Sequence, residues 1–301
     1  MMRPRADHGF RGRVWTLMSV LAAGVALGGC SGKGRPLPPY TGPTEPMSAV
    51  VAKINANNSR LPTLYARCYI EADIVHKGKS RFVNTEGDLF VRKPNELLLR
   101  GRKVLEKVFE MGSTADRYWL SIYLDENTRW WGYHRNAGKA GTDTISVRPD
   151  LVGEVLGTGQ VNTDFNALPA PTMTFNNDLR VYMIAWHAKK ADRWVTEKEI
   201  WYDLGTCLPR KVLLFDENGR VILRANLSEH QAADASPLPR DQWPVMATMY
   251  DLYFPETGSD MTMKLSDMVL RNEGGHPREG TIVFREASEL KEIQIDEQVA
   301  E

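Results

Sequence analysis

Histidines, paired acids and short glycine runs are the places where this chain of 301 residues could do chemistry. His76, His134, His187 and His230 stand singly near strand ends or loops. None belongs to a His-Glu-x-x-His run, which would set two zinc ligands on one helix face with a base between them. No Gly-x-Ser-x-Gly occurs, so the strained turn that exposes a hydrolase serine is missing. Gly32-Lys33-Gly34 has no strand before it and no Ser or Thr after its lysine, as a phosphate loop would need. Gly157-Thr158-Gly159 follows a helical pattern, where a dinucleotide loop should follow a strand. The pairs Asp125-Glu126 and Asp216-Glu217 sit in turn-like stretches, whereas glycoside hydrolysis needs carboxylates facing each other across a cleft. Glu197-Lys198-Glu199 reads as the polar edge of a strand. The expectation is a non-enzyme with no catalytic residue, no metal site and no cofactor.

The remaining reactive residue type is cysteine, and its placement points to covalent attachment. Arg3, Arg5, Arg11 and Arg13 precede an uncharged run from Val14 to Leu27, and Gly28-Gly29-Cys30 follows. A charged start, an apolar stretch of about 7 to 15 residues and a small-residue cleavage site make an export signal, while a spanning helix needs roughly 20 apolar residues. Leu27-Gly28-Gly29-Cys30 resembles the lipobox of bacterial lipoproteins. That resemblance implies a signal peptide over residues 1–29, cleavage before Cys30 and diacylglycerol on the Cys30 sulfur. A lipid anchor contributes roughly 0.8 kcal/mol per buried methylene, so several chains hold a protein on a membrane without a spanning helix. Ser31 stands where aspartate accompanies inner-membrane retention in some bacteria, so the resemblance leans toward an outer-membrane anchor facing the periplasm.

Residues 1–29 carry four arginines and Asp7, so the chain from Cys30 onward has a net charge of −3 in place of the overall balance of 38 against 38. No clustered basic face is left for nucleic acid. Residues 30–45 are rich in Gly and Pro and read as a lipidated cysteine with an extended tether. Residues 46–286 read as one domain and 287–301 as a frayed acidic tail. Cys68 falls on the apolar side of a strand pattern, so it and Cys207 read either as a disulfide or as two buried hydrophobes.

A helix is expected from Met47 to Asn57, opened by Pro46 and carrying Val50, Val51 and Ile54 at helical spacing. Strict alternation follows, with Leu64, Ala66, Cys68, Ile70, Ala72 and Ile74 on one side. Further strands are expected at 82–92, 96–100, 104–111, 118–124 and 129–133, then a short helix at 149–156. A second run of strands covers 181–186, 193–202, 210–215 and 221–226, with Asp216-Glu217-Asn218-Gly219 expected as a type I′ hairpin turn. Strands at 248–254, 261–270 and 281–284 complete a mainly β, α+β plan of antiparallel type.

In this order the elements resemble the LolA, LolB and RseB group of periplasmic proteins. The likeness rests on the helix before the first strand and on Gly87-Asp88-Leu89-Phe90-Val91-Arg92-Lys93-Pro94-Asn95-Glu96-Leu97-Leu98-Leu99-Arg100. It rests also on the pair Arg117-Tyr118-Trp119-Leu120 and Arg129-Trp130-Trp131-Gly132, and on the hairpin from Leu208-Pro209-Arg210-Lys211-Val212 through Gly219-Arg220-Val221. The resemblance implies a curved antiparallel half-barrel with helices covering the concave face. Acyl chains of lipids or lipoproteins are the implied ligands, with lipoprotein localisation as the implied role. The alternative is an RseB-type sensor that grips an envelope protein partner. The alternating apolar positions nominate Ile70, Leu99, Leu120, Ile122, Tyr182, Ile184 and Trp186 as cavity lining. Trp119, Trp130, Trp131, Trp186, Trp194 and Trp201 suit an amphipathic ligand, a membrane interface or packing.

Overall fold

The structure, a computed structural model, describes residues 38–76, 78–104, 106–123, 127–137, 148–270, 282–284 and 289–296. The expected signal peptide, Cys30 and residues 31–37 of the expected tether fall outside the described residues. The chain divides into units Met1–Pro39 and Tyr40–Glu301, and all the helices and strands named below belong to the second.

Helix α1 spans Met47–Asn58, one residue beyond the expected end, with Pro46 as its N-cap and Val50, Val51 and Ile54 buried. The strands are β1 Thr63–His76, β2 Lys79–Arg92, β3 Glu96–Lys103, β4 Glu106–Ser113, β5 Arg117–Ile122 and β6 Thr128–Tyr133. Helix α2, Pro149–Val155, precedes β7 Ala170–Asn176, β8 Val181–Lys190, β9 Arg193–Asp203, β10 Pro209–Phe215 and β11 Val221–Ser228. The last group is β12 Gln231–Ala232, β13 Val245–Met246, β14 Met249–Phe254, β15 Ser259–Val269 and β16 Lys291–Gln294. One sheet joins fourteen of these strands in the order β16-β6-β5-β4-β3-β2-β1-β15-β14-β11-β10-β9-β8-β7, open at both edges, while β12 and β13 pair apart.

A sheet this wide curls, and the residues that curl it are identifiable. The register slips at Tyr65/Arg67, Gly101/Arg102, Trp186/His187, Pro209/Lys211 and Leu214/Phe215. Each slip places an extra residue on one strand, which bends it and increases local twist. The result is the expected curved antiparallel half-barrel with a covered concave face.

Four expectations need correction. The 216–219 hairpin forms, but only Gly219 has positive φ, 78°, whereas a type I′ turn needs it at both central residues. Asp216 Oδ1 accepts from the Asn218 and Arg220 N–H groups, both at 2.8 Å, and holds a type I turn that closes on Gly219. Val104, expected to start a strand, has φ 59° and belongs to the turn before β4. Residues 282–284, expected within a strand, are irregular, and Thr281 lies outside the described residues. The tail is not frayed over 291–294, where β16 pairs in parallel with β6. Strand β7 escaped the sequence reading because Pro169 and Pro171 mask its pattern.

Register sorts the residues into two faces. On the concave face, Ala66, Leu89, Leu99, Met111, Leu120, Trp130 and Ile293 face one another across seven strands. Met173, Ile184, Ile200, Val212, Ala225, Leu252, Met261 and Ala72 do so across eight. These rows and α1 join in one apolar cluster. On the convex face, Arg67, Asp88, Arg100, Glu110, Ser121, Arg129 and Glu292 form a row of mostly alternating charge. Beside it Tyr65, Phe90, Leu98, Trp119 and Trp131 form an apolar row, which Ile282 and Phe284 cover as a second cluster.

Candidate functional site

The concave face and its cover form the candidate site. Helix α2 packs over β3, β4 and β5, while α1 supplies Val50, Val51 and Ile54 to the same apolar cluster. Polar ties hold this cover together. Asn55 Nδ2 donates to the Val161 carbonyl at 2.8 Å and its Oδ1 accepts from the Val161 N–H at 2.8 Å. Asn57 makes the same reciprocal pair with Val245, both bonds at 2.8 Å. Asn58 Nδ2 donates to the carbonyls of Gly157 and Gly159 at 3.2 and 2.8 Å. Each asparagine amide thus satisfies backbone groups of a covering segment, as a neighbouring strand would.

Two lysines tie cover to sheet. Lys93, just after β2, donates through Nζ to the carbonyl of Asn58 at 2.8 Å and to that of Thr158. On β9, Lys198 pairs with Glu154 of α2 at 2.9 Å, and its Nζ stands 5.1 Å from the Trp186 ring centroid. Burial pushes the Lys93 ammonium down to about 8 from its ordinary 10.5. The folded state therefore gives up this proton sooner than the unfolded chain, and stability from this group rises between pH 8 and 10.5. Urea midpoints across that range should climb more, or fall less, in the native chain than in Lys93→Met, because the buried Cys68 thiol, pushed up to about 12, adds the same opposite slope above pH 9 to both proteins. Equal slopes in the two proteins would contradict this reading of Lys93.

The seven nominated lining residues share the concave face. Ile70, Leu99, Tyr182 and Ile184 are at most 1% exposed, Leu120 and Trp186 at most 8%, and Ile122 packs half-buried against them. Leu99, Leu120 and Ile122 gather on β3 and β5 beneath α2, Ile70 sits on β1, and Tyr182, Ile184 and Trp186 lie on β8 near the far edge. All seven belong to, or pack against, the same cluster. A hollow of about 540 Å³ lies elsewhere, lined chiefly by charged residues including Arg67, Glu86, Asp88, Arg102 and Lys264. None of the seven lines it. The tryptophans divide: Trp130 and Trp186 face inward, Trp119 and Trp131 lie under Phe284, Trp201 sits 4.3 Å beneath Lys211 Nζ, and Trp194 is 62% exposed.

The groups that could have done chemistry are held in structural contacts. His134 Nε2 lies 3.1 Å from the Ser113 hydroxyl and 3.0 Å from the Thr114 carbonyl. His187 sits between the Thr172 and Thr196 hydroxyls at 2.8 and 3.2 Å. His230 donates to the Pro209 carbonyl at 2.9 Å, and burial lowers its pKa despite that bond. The side chain of His76 lies outside the described residues. Cys68 and Cys207 are free and buried, and burial raises the Cys68 thiol to about 12. Among the described residues no cluster of His, Cys, Asp or Glu is placed to hold a metal. No described helix is long and apolar enough to cross a membrane.

The asparagine clamp was missed from sequence, where Asn57-Asn58 read only as a helix end. Its signal was three asparagines within four residues of a helix, a cost in helix propensity that their tertiary bonds offset.

No family model matches the chain, and no curated protein matches it. Solved structures with a similar arrangement include a DUF1329 family protein from Desulfovibrio piger, with TM-score 0.49 and 11% identity over 77% of this chain and 96% of that one. A LolA superfamily protein from Nitrosomonas europaea has TM-score 0.45 and 9% identity over 78% and 96%. A candidate outer membrane lipoprotein-sorting domain from Vibrio parahaemolyticus has TM-score 0.46 and 11% identity over 76% and 94%.

Proposed function

We propose that this chain is a non-catalytic binding protein of the bacterial envelope, anchored through lipid on Cys30, whose concave face receives acyl chains of lipids or lipoproteins. The observation that carries the reading is the largely apolar concave face, covered by two short helices and by segments that polar bonds help to tie down. Acyl chains need such a surface, and transfer from water is favoured by about 25 cal/mol per Å² buried. Because Ile70, Leu99, Tyr182 and Ile184 are already packed, an acyl chain enters by taking the place of cover contacts. The ties of Asn55, Asn57, Asn58, Lys93 and Lys198 are those such an entry loosens. The outer membrane is the proposed station, with the domain facing the periplasm.

Two measurements test the two halves of this proposal. Fractionation of cells exporting residues 31–301 behind a cleavable signal without a lipobox should move the protein from membranes to the soluble periplasmic fraction, and unchanged membrane association would remove the lipid anchor. Titration of an environment-sensitive acyl probe into the purified protein should give saturable binding displaced by phospholipid. A flat titration by natively folded protein would remove the acyl-binding reading.

A further inference from the structure

Strand β16 closes the β6 edge of the sheet with four residues, the only parallel ladder among the described strands. The Lys291 N–H donates to the Asn127 carbonyl at 2.8 Å and the Ile295 N–H to that of Trp131 at 2.9 Å. Side chains add selectivity. Ile295 occupies a notch over Gly132, where a Cβ would stand 3.0 Å from Ile295 Cγ1 and 3.3 Å from the Tyr118 hydroxyl. Asp296 is 1% exposed, and its Oδ2 accepts from the Tyr133 N–H at 2.9 Å and from Asn136 Nδ2 at 2.8 Å. Glu292 lies 3.7 Å from Arg129 and Glu289 3.8 Å from Lys107.

The β6 edge therefore reads a definite chemistry. It offers backbone pairing to any extended chain, a notch for a branched apolar side chain, a buried seat for the carboxylate that comes next, and cations for acids further back. We propose that this edge is a recognition site for an extended acidic and apolar segment of a partner protein, which adds as a strand when it displaces residues 289–296. Strand addition of this kind draws affinity from the backbone and specificity from alternate side chains. The strand now in place is short, and short edge strands open locally at a cost well below that of global unfolding. The β6 edge adjoins the concave face, to whose apolar cluster Ile293 and Ile295 contribute, but its recognition of a strand does not require lipid there.

The test uses the full chain and a labelled peptide Glu-Leu-Lys-Glu-Ile-Gln-Ile-Asp. Weakening the resident strand with Asp296→Asn and Ile295→Ala together should make the peptide bind at least about tenfold more tightly than to the native chain. A peptide ending in Asn should lose most of that gain. Absence of peptide binding by a variant with a native near-ultraviolet circular dichroism spectrum would overturn the proposal, as would equal binding of a scrambled peptide. Hydrogen exchange on the native chain gives a second reading that no variant can confound. The Lys291 and Ile295 amides should exchange through local opening, faster than those in the middle of β1, and exchange only by global unfolding would overturn the proposal.

Discussion

Alanine in place of Gly87 is expected to destabilise the chain by about 3 kcal/mol or more, at the upper end of overpacking costs. Gly87 lies in β2 opposite Gly101 of β3, and a Cβ built on it would stand 1.7 Å from the Arg100 carbonyl oxygen. Backbone is on the other side of that collision, so no rotamer change relieves it and strands β2 and β3 must separate. The separation would break the row from Leu89 through Leu99 to Met111 that floors the α2 end of the concave face. Urea unfolding read by tryptophan fluorescence should show the midpoint collapse. A loss under about 1 kcal/mol, the ordinary scale of a mutational change, would mean the two strands do not approach this closely.

Replacing Arg129 with methionine is the second large effect, also expected at about 3 kcal/mol. Only 5% of this side chain is exposed, its guanidinium stands between Glu110 at 3.8 Å and Glu292 at 3.7 Å, and its Nε donates to the Ser121 hydroxyl at 2.7 Å. Its guanidinium also lies 5.5 Å from the Phe284 ring centroid. Methionine fills similar volume but removes the cation that Glu110 and Glu292 share. Glu110 keeps Arg100 at 3.0 Å, while the contact of Arg129 with Glu292 joins β6 to β16, so its loss also weakens the pairing of β16. Adding Glu292→Gln to the variant should recover part of the loss in chemical denaturation. No recovery would show that the cost lies in lost packing against Phe284, with the charge contributing little.

These two sites show what a sequence conveys and where it falls silent. Alternation in 64–74 announced β1 and its buried side, because a half-buried strand writes its geometry at period two. The later strands were legible for the same reason, and bulges explain why the ends drifted, since a slipped residue breaks the alternation that marks a boundary. Strand β7 was illegible because its prolines read as loop, yet an edge strand tolerates them. Strand β16 was illegible because Lys291 to Gln294 lie in a polar, charged tail and pair with a strand some 160 positions earlier, information no local window holds.

The candidate site divides in the same way. Alternation nominated Ile70, Leu99, Leu120, Ile122, Tyr182, Ile184 and Trp186, and a shared face follows from their parity within each strand together with the pairing register. Their cover was not legible, because the asparagine clamp joins α1 to segments about 100 and 190 residues away through side-chain amides that carry no periodic signal. The charged convex row was likewise hidden. Arg100, Glu110 and Arg129 each look like an ordinary exposed strand residue until register sets them side by side.

Acyl-chain binding on the concave face is tested most directly by native mass spectrometry of residues 31–301, exported behind a cleavable signal without a lipobox and purified without detergent. The expected result is a discrete added mass that fragments to fatty acyl species and is lost when the cover is loosened by Asn55→Ala with Asn57→Ala. A natively folded protein that carries no acyl-bearing mass, and gains none on incubation with phospholipid vesicles, would contradict it.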